Sequence, residues 1–397
     1  MRRLSSILLI MLLSGSLRAS TQSEDSTEIF LLTCLPGRDA TTIYGHSAIR
    51  IVNTSYGLDS VFSWGVYDFS APHFAWKFAT GRLKYRIDGD SYSSFLEGYF
   101  LEQRSVISQK INLTNKEKEL LILMINTNMK PENKFYLYDF LYDNCSSRVR
   151  DIIEKTIGER LLYPIENIKD HPSFRGMINK AQEPMPWTTF GTDLLIGIRG
   201  DKKAGFRDQM FLPEELMKNL SLLMVRDGDY LIPLLQKPET VLDFNSITPD
   251  KNVIFSPLII FIILLVIILI LSISIKWQKY FDFIDKFIFI TFSILSILMV
   301  FFSFFTDHQV MRLNFNILWL NPFLIVALIT LFTKNNNPIW FRIVFLSSTC
   351  FLLSSALIPQ SINIAFIPLI VILIIRSLAR SKFHFATFFT DRSIYIS

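Results

Sequence analysis

Only three cysteines and five histidines are spread over the 397 residues. Cys34, Cys145 and Cys350 are too few for a disulfide scaffold, although one Cys34–Cys145 bridge is open to them by parity. Neither an HExxH sequence nor a CxxC pair occurs, and His73, His171 and His308 lack ligand spacing, which argues against a metal site. No glycine-rich loop follows a strand pattern, which argues against a phosphate-cradling nucleotide site. Charge of one sign is scarce too: 40 basic and 35 acidic residues leave a net +5. The basic residues cluster in short loops beside apolar blocks instead of forming a stripe. That placement speaks for membrane topology and against nucleic-acid binding.

What the chain has in quantity is apolar surface, since 50% of its residues are hydrophobic. A basic start (Met1–Arg2–Arg3), an apolar run (Ile7–Leu13) and the Leu17–Arg18–Ala19 site read as a secretory signal peptide over residues 1–19. An uncleaved first anchor is the alternative. Residues 20–250 read as an exported domain with charged, aromatic and turn-forming residues interspersed, and 251–397 as a transmembrane domain ending in a cytoplasmic tail. Membrane helices are expected near 254–275, 287–305, 316–333, 340–357 and 361–375, with a merged, interrupted unit over 340–375 as the alternative for the last two. Pro322, Pro359 and Pro368 delay or kink these helices. Export of the first domain leaves Lys276, Lys279 and Lys286, then Lys334 and Arg342, then Arg376, Arg380 and Lys382 in the cytoplasm. The intervening outer loop carries Arg312 as its one basic residue. The loops containing His308, Asn314 and Asn316 and then Gln360 and Asn363 therefore face the exported domain. They can floor a site at the membrane surface, or cap helices and meet headgroups.

Within the exported domain, TEIFLLTC, HSAIRIVN, SVFSWGVYDF, LKYRID and RSVISQKIN read as strands. Helices are expected near Pro72–Ala79 and over Asn115–Asn126. The fold class is α+β with an antiparallel sheet at its centre. In YDNCSSRVRDIIEKTIG, Asp143 or Asn144 is placed to cap a helix that starts at Cys145 and ends at Gly158, with Val149, Ile152 and Ile153 on its buried face. First-turn N–H groups and the positive end of the helix dipole favour a thiolate there. The same groups, with Asn144 and Arg148 beside them, suit an oxyanion or a headgroup, although Arg148 can equally pair with Asp151. Cys145 facing His46 at the start of a strand is the arrangement thiol-based acyl transfer needs. Histidine before cysteine reverses the ordinary papain order and permits a circularly permuted relative. Isolated cysteines and histidines also serve as packing residues, which is the expectation for Cys34 and Cys350.

LLTCLPG, YGHSAIR, SWGVYDF, GRLKY, YDNCSSR, FGTDLLIG, MFLP, TDHQVMRLNFNILWLNP and a closing PL…R pattern together resemble the Lnb family. That family comprises bacterial acyltransferases of the inner membrane with a periplasmic N-terminal domain and a transmembrane C-terminal domain. The resemblance implies a permuted papain/NlpC-P60-like fold for the exported domain, followed by an all-α transmembrane bundle. It implies lipoprotein N-acyltransfer, with Cys145 as nucleophile, His46 as base, and Asp68 or Tyr44 as the orienting third residue. The acyl donor would be phospholipid and the acceptor a diacylglyceryl-modified lipoprotein, with no cofactor, metal or nucleic acid. Trp187 and the DLLIG run would line the cleft or the membrane, and Phe95, Tyr99 and Tyr67 would be core or acyl-contact residues. The competing readings are a membrane-anchored cysteine peptidase or amidase acting on cell-wall peptides, and a non-catalytic envelope sensor or assembly protein.

Overall fold

A computed structural model describes residues 26–165, 170–244, 255–273, 279–333 and 337–381. The signal-peptide pattern at 1–19 lies outside the described residues, as do Lys276, Lys334 and Lys382 of the charge pattern.

The N-terminal part is built on a seven-stranded antiparallel sheet. Its strands are β1 (Thr27–Cys34), β2 (His46–Asn53), β3 (Leu58–Val66), β4 (Lys84–Ser91), β5 (Val106–Lys110), β6 (Phe135–Leu137) and, after the short strands β7 (Leu161–Leu162), β8 (Met224–Asp227) and β9 (Tyr230–Pro233), β10 (Glu239–Leu242). The sheet order is β10-β5-β1-β2-β3-β4-β6, while β7-β8-β9 form a separate small sheet. β1 lies inside the sheet and is apolar on both faces, with Leu31 and Leu32 equally buried. The return of β10 to the edge beside β5 has no counterpart among the strands read from the sequence.

Among the described residues, eight helices accompany the sheets: α1 (Phe74–Ala79), α2 (Tyr92–Leu101), α3 (Asn115–Met129), α4 (Cys145–Ile157), α5 (Phe174–Ala181), α6 (Pro186–Leu195), α7 (Phe206–Gln209) and α8 (Pro213–Ser221). A Thr114–Glu117 capping box starts α3, and Gly158 at φ 60° ends α4. Leu121 and Ile125 of α3, Val149, Ile152 and Ile153 of α4, and Leu216 and Leu220 of α8 share a core with Ile29, Leu31, Ile49 and Trp64 of the sheet. On the other face, Leu32, Ala48 and Val61 meet Tyr92 and Phe95 of α2. This sandwich fixes the α4 N-terminus against the start of β2.

The C-terminal part is helical: α9 (Pro257–Ile273), α10 (Phe281–Phe304), α11 (Phe323–Phe332), α12 (Ile339–Ser354) and α13 (Phe366–Arg380). Among the described residues, Phe281–Phe304 and Phe315–Phe332 are long and apolar enough to cross a membrane, and Pro257–Ile273 and Ile339–Ser354 are shorter apolar helices. α11 begins just after Pro322, following a 3-10 turn over Phe315–Leu318. Separate α12 and α13 replace the merged alternative over 340–375. The last helix starts five residues later than the expected Ser361, after a turn in which Asn363 accepts from the Ala365 N–H at 2.9 Å. It also runs further, carrying Arg376 and Arg380 inside the helix instead of in a loop. Asp285 of α10, fully buried, pairs with Arg376 at 2.6 Å and with Arg380 at 2.5 Å. A buried carboxylate needs such partners, which is why the helix continues.

Candidate active site

Cys145 is the first residue of α4. Asn144 precedes it with extended backbone, and its Oδ1 accepts from the N–H groups of Ser146 and Ser147, each at 2.9 Å. Both Asn144 amide donors are also engaged, with the carbonyls of Phe140 (2.7 Å) and Phe211 (2.9 Å). The side chain is therefore a rigid cap, and it leaves no free donor for an oxyanion. That capacity rests with backbone N–H groups instead. The Cys145 sulfur faces those of Ser47, Ser146 and Cys145 itself. Ser47 and Ser146 hydroxyls meet at 3.1 Å, tying the α4 start to β2 one residue after His46.

Electrostatically, burial pushes the Cys145 thiol above its ordinary value, against the opposing effect of these N–H groups. His46 is displaced the other way: burial, and then the charge of Arg104, lower it to about 4. Both side chains keep a partly accessible edge. A neutral thiol and a neutral imidazole are therefore the resting forms, with no standing thiolate–imidazolium pair. Among the described residues no hydrogen bond joins the sulfur to the imidazole; the sulfur's side-chain contact is the Ser146 hydroxyl at 3.9 Å. Cys34 opposes His46 in the β1–β2 register. It is a free, buried thiol pushed up to about 12, mainly by burial, and Cys145 is free as well.

The remaining site expectations are distributed differently. Asp68 lies in an exposed turn, where its Oδ1 accepts from the Ser70 N–H (2.8 Å) and hydroxyl (2.7 Å). Tyr44 packs on Phe140 with tilted rings and centroids 4.8 Å apart, and its hydroxyl accepts from Gln182. Neither is bonded to His46. Arg148 pairs in two-pronged fashion with Asp143 (2.5 and 2.8 Å) and lies over the Tyr136 ring, while Asp151 pairs with Arg150 and Arg207. Phe95 and Tyr99 pack with each other, and Tyr99 lies near the Cys34 thiol. Arg104, Gly65 and Tyr138 were not singled out in the sequence. At Gly65 (φ +87°) a Cβ would lie 3.6 Å from that of Cys145 and 3.7 Å from the Tyr138 ring, so the glycine within SWGVYDF was the signal.

The outer-loop polar residues gather under α6. Asn314 donates to the carbonyls of Leu194 (2.8 Å) and Leu195 (3.0 Å), and accepts from Gln360 at 3.0 Å. Asn316 donates to the Leu194 carbonyl at 3.1 Å, and Asn363 to the Asp193 carboxylate at 2.8 Å. Asp193 is also paired with Arg175 at 3.0 Å. Asn314 and Asn316 satisfy carbonyls of the α6 C-terminus, Asn363 holds the Asp193 side chain of the same helix, and Gln360 supports Asn314, so the helix-capping alternative describes the group. His308 approaches the carbonyl of Phe78 at 3.0 Å, at the end of α1. Val310 packs, as Tyr44 and Phe140 do, against the buried cluster of Leu141, Phe174 and Phe211. Trp187 donates to the Phe255 carbonyl at 2.8 Å and packs on Phe261 of α9. Among the described residues no group of three or more His, Cys, Asp or Glu is arranged to hold a metal ion.

Residues 18–171 match the Lnb N-terminal periplasmic domain, and residues 249–386 match the Lnb transmembrane domain. The chain belongs to the Lnb family. Membership places it in the inner membrane as a multi-pass protein with its N-terminal domain in the periplasm. The Lnb family is one of lipoprotein N-acyltransferases, whose substrates are membrane phospholipids and lipoproteins. No curated protein and no solved structure matches the chain.

Proposed function

We propose that this protein N-acylates lipoproteins through a thioester on Cys145. The observation that carries the reading is the sulfur at the α4 N-terminus, facing three backbone N–H groups, one of them from the residue after His46. The sulfur attacks the ester carbonyl of a phospholipid while His46 takes the thiol proton. The N–H groups of Cys145, Ser146 and Ser47 stabilise the oxyanion. Collapse expels the lysophospholipid alkoxide, which receives the proton from His46, and leaves the acyl-thioester. The α-amine of an S-diacylglyceryl-cysteine lipoprotein then attacks. His46 accepts the amine proton and returns it to the departing thiolate, giving the amide and the free thiol. The same reading takes 20–250 as a permuted papain-like thiol-enzyme domain and 251–397 as its membrane anchor. Its support is a nucleophile-bearing helix packed across an antiparallel strand that begins with the histidine.

The test is intact mass analysis of a purified diacylated lipoprotein after incubation with phospholipid and the full-length protein. One added acyl chain is expected, with a hydroxylamine-sensitive acyl adduct on Cys145. Cleavage of a cell-wall peptide by the same preparation, without acyl gain, would replace the proposal with the amidase reading.

A further inference from the structure

Five aromatic residues crowd the stretch from Tyr67 to Phe78, yet no residue of α1 is buried. Phe69 is 72%, Trp76 60% and Phe78 52% exposed. Aromatic rings on a six-residue helix facing water have no folding rationale of their own. Their location supplies one. Trp76 packs at 5.6 Å on Phe301, in the last turn of the spanning helix α10, beside exposed Phe304 and Phe305. The Asp307 N–H donates to the Thr80 carbonyl at 2.8 Å, and Arg82 pairs with Asp307 at the same distance. Together with the His308 contact to Phe78, these ties hold α1 at the outer end of a membrane helix, the depth at which tryptophan meets headgroups.

From that helix a continuous row of rings runs inward. Phe74 stacks near Tyr67 at 5.9 Å, Tyr67 meets Tyr85 at 5.2 Å, and Tyr85 meets Tyr138 at 4.5 Å. Tyr138 ends the row beside Gly65 and the Cys145 side chain. Resting on the acyl-thioester reading, we propose that Phe69, Trp76 and Phe78 form a lip inserted in the outer leaflet. An acyl chain of the donor phospholipid leaves the leaflet over this lip and follows the Tyr67–Tyr85–Tyr138 wall to the Cys145 sulfur. Gly65 keeps the inner end open, since a side chain there would project between Tyr138 and Cys145.

Two measurements on the full chain in phosphatidylethanolamine vesicles test this. In the first, the rate of Cys145 acylation from vesicle phospholipid is divided by the rate from a short-chain water-soluble ester. Combined Phe69→Ser, Trp76→Ser and Phe78→Ser substitution should lower that ratio on the order of tenfold, and leucine at the same positions should recover most of it. An unchanged ratio overturns the lip. In the second, Cys145→Ala protein is photolysed with phospholipid carrying a diazirine in its acyl chain. Label is expected in the peptides containing residues 67–85 and Tyr138; label confined to α9–α13 overturns the path. Photolabelled residues in a protein whose parent forms no thioester with either donor would keep the path and sink the chemistry, so the two failures are distinguishable.

Discussion

At Cys145, burial and hydrogen bonding pull the thiol in opposite directions, and burial prevails. On the proposed mechanism a neutral thiol needs a base at the moment of attack, which would make Cys145 more dependent on His46 than a standing thiolate. Cys145→Ala should abolish acyl transfer with the protein still inserted and folded. Cys145→Ser should be severely slowed, because a hydroxyl is deprotonated far less readily than a thiol. Both are read by lipoprotein mass shift. Cys34→Ala should retain activity, its thiol being buried and held protonated. The pH dependence follows from His46, lowered from 6.5 to about 4. The base stays neutral down to that range, so the acid limb of the acylation rate should lie near pH 4. Arg104→Met removes a charge that depresses His46, and the limb should move upward toward 6.5. Linkage has a definite sign here. The unfolded chain takes the proton near 6.5 and the folded chain only near 4, so stability is complete above 6.5 and declines as pH falls through 4. Melting temperatures measured across that window check it. Cys145 and His46 were legible as residue types in local context. Arg104 was not, because its effect on His46 arises from packing between β-strand loops far apart in the chain.

At the scale of elements, two helix ends carry the site. The α4 N-terminus depends on Asn144, all four of whose side-chain bonds go to backbone groups. Asn144→Ala should cost about 1–2 kcal/mol as a lost cap, and more from the buried Phe211 carbonyl left without its donor. Urea unfolding measures the first effect, and slower Cys145 acylation reports the displaced sulfur. The α6 C-terminus depends on Asn314, Asn316 and Asn363. Asn314→Ala leaves the Leu195 carbonyl without its side-chain donor and the Leu194 carbonyl with Asn316 alone, at about 1–3 kcal/mol. A lower melting temperature in detergent is expected, with vesicle transfer falling more than soluble-ester turnover. The capping asparagine before Cys145 was readable because capping is local. The three outer-loop asparagines were visible as polar residues facing the right side, but the α6 carbonyls and the Asp193 carboxylate they serve lie more than a hundred positions earlier in the chain.

Over the whole molecule, α6 ties the two parts together. Leu194 belongs to the core of the membrane bundle, and Phe190 packs on Phe261 and Phe366. An excised fragment over residues 20–245 should therefore expose these side chains and need detergent to remain monomeric. In detergent it should still acquire an acyl group from a short-chain soluble ester, while transferring poorly between phospholipid and lipoprotein in vesicles. Equal vesicle rates for fragment and full chain would mean that the membrane part does not position the substrates. Topology is checked in intact cells with an impermeant thiol reagent, native thiols being controlled. Arg312→Cys should be modified and Asp282→Cys should not, because the charge pattern puts these on opposite sides of the membrane.

Hydrophobic periodicity, helix-capping chemistry and charge asymmetry are properties of neighbouring residues, and they sufficed for the sheet strands from Thr27 to Lys110, the helix start at Cys145 and the order of the membrane helices. Span boundaries drifted where a distant partner intervened, as Asp285 did in extending α13 through Arg376 and Arg380. Which groups face the sulfur, which carbonyls the asparagines serve, and the path of rings from α1 to Cys145 depend on contacts between segments separated by tens to hundreds of residues. Local sequence pattern carries no information about those distances; they are set when the sheet, α6 and the outer loop pack around one another.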